Sequence, residues 1–146
     1  MRHHITLEGL SEHLDSISKE EWNRLFAFIP RIEETPSFGE WEKIGNYPYY
    51  MPSALVDEFQ SYLYKIGLIV DFNWPRWEEG ARLYRDPKSD YMQCPPLTLV
   101  KLLTAIVRSN RFVEGVLVTA FEDGKILQIL KGLRVYYGVG DEIGSG

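Results

Sequence analysis

The chain has 146 residues, of which 45% are apolar, 25% charged and 14% aromatic, and these values are typical of one folded domain with a core of its own. A single cysteine, Cys94, excludes an intrachain disulfide framework and a cysteine metal site. Because the N-terminus lacks a secretory signal and no run approaches the roughly 18 apolar residues of a membrane span, we expect a cytoplasmic protein that makes no membrane contact.

The net charge of −5 is unevenly distributed along the chain. Residues 1–80 carry 14 acidic and 7 basic side chains, whereas residues 81–140 carry 5 acidic and 9 basic side chains. Two interpretations stay open. The two halves can pack together and complement each other's charge, or the second half can present a basic face to an anionic partner.

The N-terminal part predicts two helices. Apolar residues at helical spacing predict a first helix over 6–16. Ser18 followed by Glu21 has the form of a capping box, in which each side chain accepts a bond from an unpaired backbone amide, and it opens a second helix over 19–29. Pro30 is expected to end that helix.

The middle of the chain combines a loop with two further helices. Residues 34–52 are rich in proline, glycine and aromatic side chains, so we expect an ordered, aromatic-rich loop with room for a short strand. Ser53 can cap a third helix over 54–66, and Gly67 suits a left-handed helix stop. A fourth helix over 75–84 begins with a proline.

The last third is the most regular part of the sequence. Its apolar periodicity predicts helices over 97–109, 111–122 and 125–134. Whether the first two form one long helix is open at this point, although mean helix length favours a break near Asn110. Beyond it, Tyr136, Tyr137 and Val139 could pair as a short strand.

These elements predict a mainly α fold, a compact multi-helix domain of about six to seven helices with an aromatic-rich loop and at most a minor short β element. We expect residues 1–137 to form one domain and residues 138–146 to form a flexible, glycine-rich tail.

The residues that most often carry chemistry form no recognisable site. His3, His4 and His13 lack the spacing of a helical metal site. Cys94 has an acidic neighbour, Asp90, which opposes formation of a thiolate. We therefore expect no catalytic set, no metal site and no cofactor. Whether the protein is an enzyme stays open, although these observations favour a protein that is not one.

One aromatic segment is a candidate binding site. Asp71, Trp74 and Trp77 lie close together, and residues 38–77 hold 11 of the 20 aromatic side chains. These rings can form a plug that fixes the loop to the helices. Alternatively, they can line a recess for a ligand or a peptide.

A second candidate is an apolar region interrupted by charge. Arg108, Arg111 and Glu114 share a face if the chain stays helical. They can form an ion-pair network that joins two helices, or they can bind a partner or an anion, since guanidinium groups grip carboxylate and phosphate.

Both segments carry a resemblance to a known family. The residues concerned are Asp71-Phe72-Asn73-Trp74 with Trp77 and Gly80, then 102–108, Arg111-Phe112, Glu114-Gly115 and 120–124. Over about residues 65–134 they resemble the prokaryotic domain-of-unknown-function family numbered 6508. Asn73 and Asn110 stand where the family pattern has an acidic residue. The resemblance implies no activity.

The sequence therefore favours a small, non-catalytic binding or regulatory module that acts through protein contacts. One alternative is a nucleic-acid-binding domain that uses the basic C-terminal helices, although the overall acidity opposes it. Another is a small-molecule or anion sensor, or an enzyme, at Arg108, Arg111 and Glu114. The pattern does not fix the oligomeric state.

Overall fold

The computed structural model describes residues 6–138, apart from the side chains of Ile44, Tyr49 and Tyr50. Within these residues the protein is mainly α, with one β-hairpin and two 3₁₀ turns at Trp74–Arg76 and Tyr91–Gln93. The helices, in chain order, are α1 (Leu10–Ser16), α2 (Lys19–Phe26), α3 (Phe28–Glu34), α4 (Ala54–Lys65), α5 (Glu78–Arg85), α6 (Pro96–Ser109), α7 (Val116–Glu122) and α8 (Lys125–Tyr137).

The second expected helix is in fact two. The Ser18–Glu21 capping box is present, with both bonds at 3.1 Å, but α2 ends at Phe26. Pro30 does not stop the chain, because it lies in the first turn of α3, where a missing backbone N–H costs no helical bond. The expected end at Pro30 is therefore wrong. The first helix begins at Leu10 rather than at residue 6.

The aromatic-rich segment contains an antiparallel hairpin, formed by β1 (Gly39–Ile44) and β2 (Tyr47–Pro52). Phe38, just before β1, is buried and packs against Phe121 at 5.2 Å between ring centroids. Trp41 and Tyr47 are exposed. The segment is therefore ordered and contains the short β element for which the sequence left room.

A buried extended run, residues 68–70, follows α4. Ser53 caps α4, as expected, and Gly67 ends it with a φ of +78°. Thr104 in α6 then holds this run, since its hydroxyl accepts from the Val70 amide at 3.0 Å and donates to the Leu68 carbonyl at 3.2 Å. The extended run is therefore fixed to α6.

The last three helices build the core. The chain breaks at Asn110, but residues 111–115 form a turn and α7 begins only at Val116. Helix α8 continues to Tyr137, so Tyr136 and Tyr137 are helical and the short strand suggested for them is wrong; Val139 and the glycine-rich tail lie outside the described residues.

Helix α8 is the central element and packs against α2, α3, α6 and α7. Its buried residues are Ile126, Ile129, Leu130, Gly132 and Leu133. A Cβ at Gly132 would lie 2.9 Å from Leu99 Cδ1 and 3.1 Å from the Tyr91 carbonyl oxygen, so glycine permits the close approach. Between residues 6 and 138, no helix has the length and apolar character required to cross a bilayer.

Candidate functional site

The two tryptophans of the first candidate segment are held in place by their neighbours. Trp74 begins a 3₁₀ turn, and Trp77 follows it at the start of α5. The Trp77 ring lies on the backbone of Gly80, where a Cβ would collide with it. The Lys101 ammonium sits 4.4 Å from the centroid of the same ring, a cation–π geometry. Both tryptophans are half-buried.

These rings form one wall of a recess of about 240 Å³ between α5 and α6. We call it the aromatic recess. The α5 side contributes residues one turn apart, and α6 contributes a stripe at helical spacing. Its main lining residues are Trp74, Trp77, Ala81, Tyr84, Arg85, Leu102, Ala105, Ile106 and Ser109.

Few polar groups face this recess. Arg85 is the charged residue that lines it, and the Ser109 hydroxyl donates at 2.5 Å to the Ala105 carbonyl of its own helix. Burial raises the pKa of the Tyr84 phenol, and the Lys125 ammonium 4.7 Å above its ring opposes that rise only in part. The aromatic recess is therefore an apolar surface whose phenol stays neutral at physiological pH.

The turn between α6 and α7, residues 110–115, lies at the edge of the aromatic recess, and we call it the Phe112 turn. Phe112 is 78% exposed and Val113 is 60% exposed. The Phe112 ring lies 6.3 Å from the Trp74 ring. Asn110 Oδ1 accepts from the Leu117 amide at 3.0 Å, which caps α7 and fixes the turn. The exposure of Phe112 thus belongs to an ordered turn.

A second recess, of about 310 Å³, lies on the other side of the Phe112 turn, against the end of β2 and α4. Arg111 and Glu114 line it, together with Pro52. Arg111 Nη2 donates to the Tyr64 hydroxyl at 3.3 Å. The Phe112 turn therefore separates two recesses, one mainly apolar and one lined by both Arg111 and Glu114.

Arg108, Arg111 and Glu114 do not share a helix face, because α6 ends at Ser109. Arg108 is half-buried in the last turn of α6, where its charge favours the helix dipole, and its Nε is buried without a hydrogen-bond partner.

The six candidate residues therefore separate into three groups. Trp74 and Trp77 line the aromatic recess, and Arg111 and Glu114 line the second recess. Arg108 and Asp71 line neither. The backbone of Asp71 forms an isolated parallel bridge with Thr6. The rings of Phe112 and Trp74 approach each other between the two segments.

Sequence reasoning missed the α5 and α6 walls of the aromatic recess. Ala81, Tyr84 and Arg85 follow helical spacing, as do Ala105 and Ser109. The usable signal is the small alanine on each facing helix, since a small side chain within a large apolar stripe leaves space.

Two of the remaining chemical candidates, Cys94 and His13, lie within the described residues. Burial, with a further contribution from Asp90 and Glu79, raises the pKa of the Cys94 thiol, which disfavours the thiolate. His13 Nε2 is bonded to the Ile66 carbonyl at 2.9 Å, where it joins α1 to the end of α4. No three His, Cys, Asp or Glu side chains of residues 6–138 are grouped to hold a metal ion.

A family model described as "Family of unknown function (DUF6508)" matches residues 17–139. The chain belongs to this family. The match to DUF6508 extends well beyond the 65–134 region of the sequence resemblance, and it covers the aromatic recess, the hairpin and the Phe112 turn. No curated protein and no solved structure matches the chain.

Asn110 stands where the DUF6508 resemblance has an acidic residue. Its bond to the Leu117 amide uses only a side-chain oxygen, which an aspartate also provides. The difference from the family pattern is therefore compatible with the same cap.

Proposed function

We propose that this chain is a non-catalytic protein-binding module, and that a partner protein docks a large apolar side chain at the aromatic recess and the Phe112 turn. We call this combination the docking surface. The observation that carries the proposal is the exposure of Phe112, 78%, in an ordered turn beside an apolar recess.

The exposure of Phe112 leaves apolar surface unburied in the folded chain. Burying such a side chain contributes about 1.5–3 kcal/mol, and Phe112 and Val113 forgo most of this gain. Protein interfaces are enriched in aromatic residues and arginine, and their energetic anchors fill pockets. Trp74, Phe112 and Arg85 give the docking surface this composition.

The size of the aromatic recess favours a partner's side chain over a free ligand. Its volume of about 240 Å³ lies below the roughly 300–1,000 Å³ of typical small-molecule sites, which also present several convergent polar groups. Here the Ser109 hydroxyl is already bonded within α6. An apolar anchor from another protein fits this lining better.

The nucleic-acid alternative receives less support from α8. Lys125 pairs with Asp123 at 2.6 Å and Lys131 pairs with Glu33 at 3.1 Å, so two of its basic groups are already neutralised. The apolar face of α8 is part of the core. A helix held in this way offers little to the phosphate backbone.

The test is affinity capture from the organism that supplies the sequence, with Phe112→Asn compared against Val135→Asn. Val135 is a matched control, because it is 64% exposed and lies on α8, outside both recesses. We expect the unaltered chain and Val135→Asn to capture the same partner. Phe112→Asn should reduce that capture at least roughly tenfold, as loss of an interface anchor does.

Circular dichroism and a urea titration show that both variants fold before capture is compared. A partner that binds equally to Phe112→Asn would contradict the proposal, and so would the absence of any specific partner across several growth conditions.

A further inference from the structure

The aromatic recess is bordered by arginines without acidic partners. The ion pairs among the described residues join Arg31 with Glu58, Lys125 with Asp123 and Lys131 with Glu33. Arg85, which lines the recess, and Arg76, which lies between the lining residues Pro75 and Trp77, form none of these pairs and are exposed. Two exposed arginines beside an apolar recess can attract a surface that is both acidic and apolar.

One face of the hairpin has the complementary composition. Glu40 pairs in register with Met51, and the alternation of a β-strand places Glu42 and Tyr47 on the same face. Tyr47 is 81% exposed, the largest exposure among the exposed large apolar and aromatic side chains, and Met51 is also exposed. Among its described side chains, this face therefore combines two carboxylates with two apolar groups.

We infer that the protein associates with a second copy of itself, the hairpin face of each copy occupying the aromatic recess of the other. The inference rests on the proposed function and names the occupant of the same docking surface. Tyr47 and Met51 supply the apolar anchors, and Glu40 and Glu42 meet the arginine border.

The positions of the hairpin face and the aromatic recess allow two copies to bind each other reciprocally. Pro52, at the end of β2, lines the second recess together with Phe112, and Phe112 contacts Trp74 at the edge of the aromatic recess. The hairpin and the aromatic recess thus lie on either side of the Phe112 turn. A twofold axis near this turn pairs each hairpin with the other copy's recess and gives a closed dimer.

The two surfaces do not meet within one chain. Tyr47 and Met51 are exposed, and neither of them lines the aromatic recess. A second copy supplies both complementary surfaces at once, so that one contact is formed twice.

Sedimentation equilibrium of the full chain tests the inference. The unaltered protein, the hairpin variant Glu40→Arg/Glu42→Arg and the recess variant Arg76→Glu/Arg85→Glu are compared at about 1 µM and about 100 µM, which bracket the dissociation constant of a modest interface. Glu8→Arg/Glu12→Arg is the charge-matched control for the hairpin variant, since both residues are exposed near α1.

We expect the unaltered chain and the control to approach twice the 17.0 kDa of one chain at the higher concentration. Each of the two surface variants should remain at the mass of one chain. An equimolar mixture of the hairpin and recess variants should recover the dimer, because both of its contacts then join opposite charges.

A monomeric unaltered chain at the higher concentration overturns the inference, and so does a dimer that both surface variants leave intact. Neither result contradicts the proposed function, because partner capture by Phe112→Asn and Val135→Asn is a separate measurement. A partner that is captured equally by Phe112→Asn and the unaltered chain, together with an intact dimer, would contradict only the proposed function.

Discussion

Helix α6 and the Phe112 turn are neighbours in the sequence and are both rich in apolar side chains, yet the fold treats them in opposite ways. Helix α6 buries its apolar stripe, which consists of Leu99, Val100, Leu102, Leu103, Ile106 and Val107. The turn begins at Asn110 and exposes Phe112 and Val113. Apolar character alone therefore does not place a residue in the core.

The difference arises from where the helix ends. Within α6, residues three and four apart return to the same face, so one apolar stripe stays against the core. Once the backbone leaves the helix after Ser109, this periodicity is lost and the next apolar side chains point away from the core. The hydrogen bond from the Leu117 amide to Asn110 Oδ1 then holds the turn in this conformation.

The largest expected difference between core and turn comes from two phenylalanines. Phe59 is fully buried, with its ring 5.2 Å from both Phe28 and Phe121. Phe59→Ala should lower the free energy of unfolding by about 3–5 kcal/mol. Phe112→Ala should change it by less than about 0.5 kcal/mol. Urea titrations measure both, and a similar loss in the two variants would contradict the comparison.

Two hydroxyls of α6 extend this comparison to polar groups. Thr104→Val leaves the buried Val70 amide without its side-chain acceptor, so we expect a loss of about 1–3 kcal/mol in the free energy of unfolding. Ser109→Ala removes only a bond to a carbonyl of its own helix, beside the recess, and should cost less than about 0.5 kcal/mol. Equal losses would show that Thr104 does not fix the extended run.

The cap of α7 tests what holds the Phe112 turn. Asn110→Ala removes the acceptor for the Leu117 amide, and the loss of such a cap typically costs about 1 kcal/mol. Asn110→Asp keeps an oxygen in place and should retain most of the stability. If Asn110→Ala leaves the urea midpoint unchanged, the turn is held by something other than this bond.

The smallest effect at neutral pH is expected for Tyr91→Phe. Burial raises the pKa of Tyr91 to about 12, above the roughly 10 of an exposed tyrosine. Because burial favours the neutral phenol, Tyr91 contributes to the free energy of unfolding in full below about pH 10. This contribution is lost as the pH rises towards 12. Urea titrations in this window should show a smaller decline for Tyr91→Phe. A decline equal to that of the unaltered chain would rule out Tyr91 as its source.

Local signals in the sequence predicted much of the fold. The Ser18 capping box, the Ser53 cap and the break near Asn110 each depend on neighbouring residues, and all three are present. The helix end predicted at Pro30 was wrong, because proline interrupts a helix only beyond its first turn. The residue at which a new helix begins depends on packing. The direction of Phe112 depends likewise on the path of a turn.

The candidate site was predictable only in part. Trp74 and Trp77 line the aromatic recess, as one of the two interpretations of their segment suggested. The opposite wall depends on how closely α5 and α6 approach, and the small residues Gly80, Ala81 and Ala105 all line the recess between them. Such a match between distant segments has no local signature in one sequence.

The central claim is that the Phe112 turn contacts another protein, and photo-cross-linking in the native host tests it most directly. A photoreactive benzoylphenylalanine replaces Phe112 in one variant and Val135 in the other, so that both probes are exposed. We predict a discrete cross-linked protein, identified by mass spectrometry as a partner or a second copy, from position 112 alone. Identical products from both positions, or none from position 112, would contradict the claim.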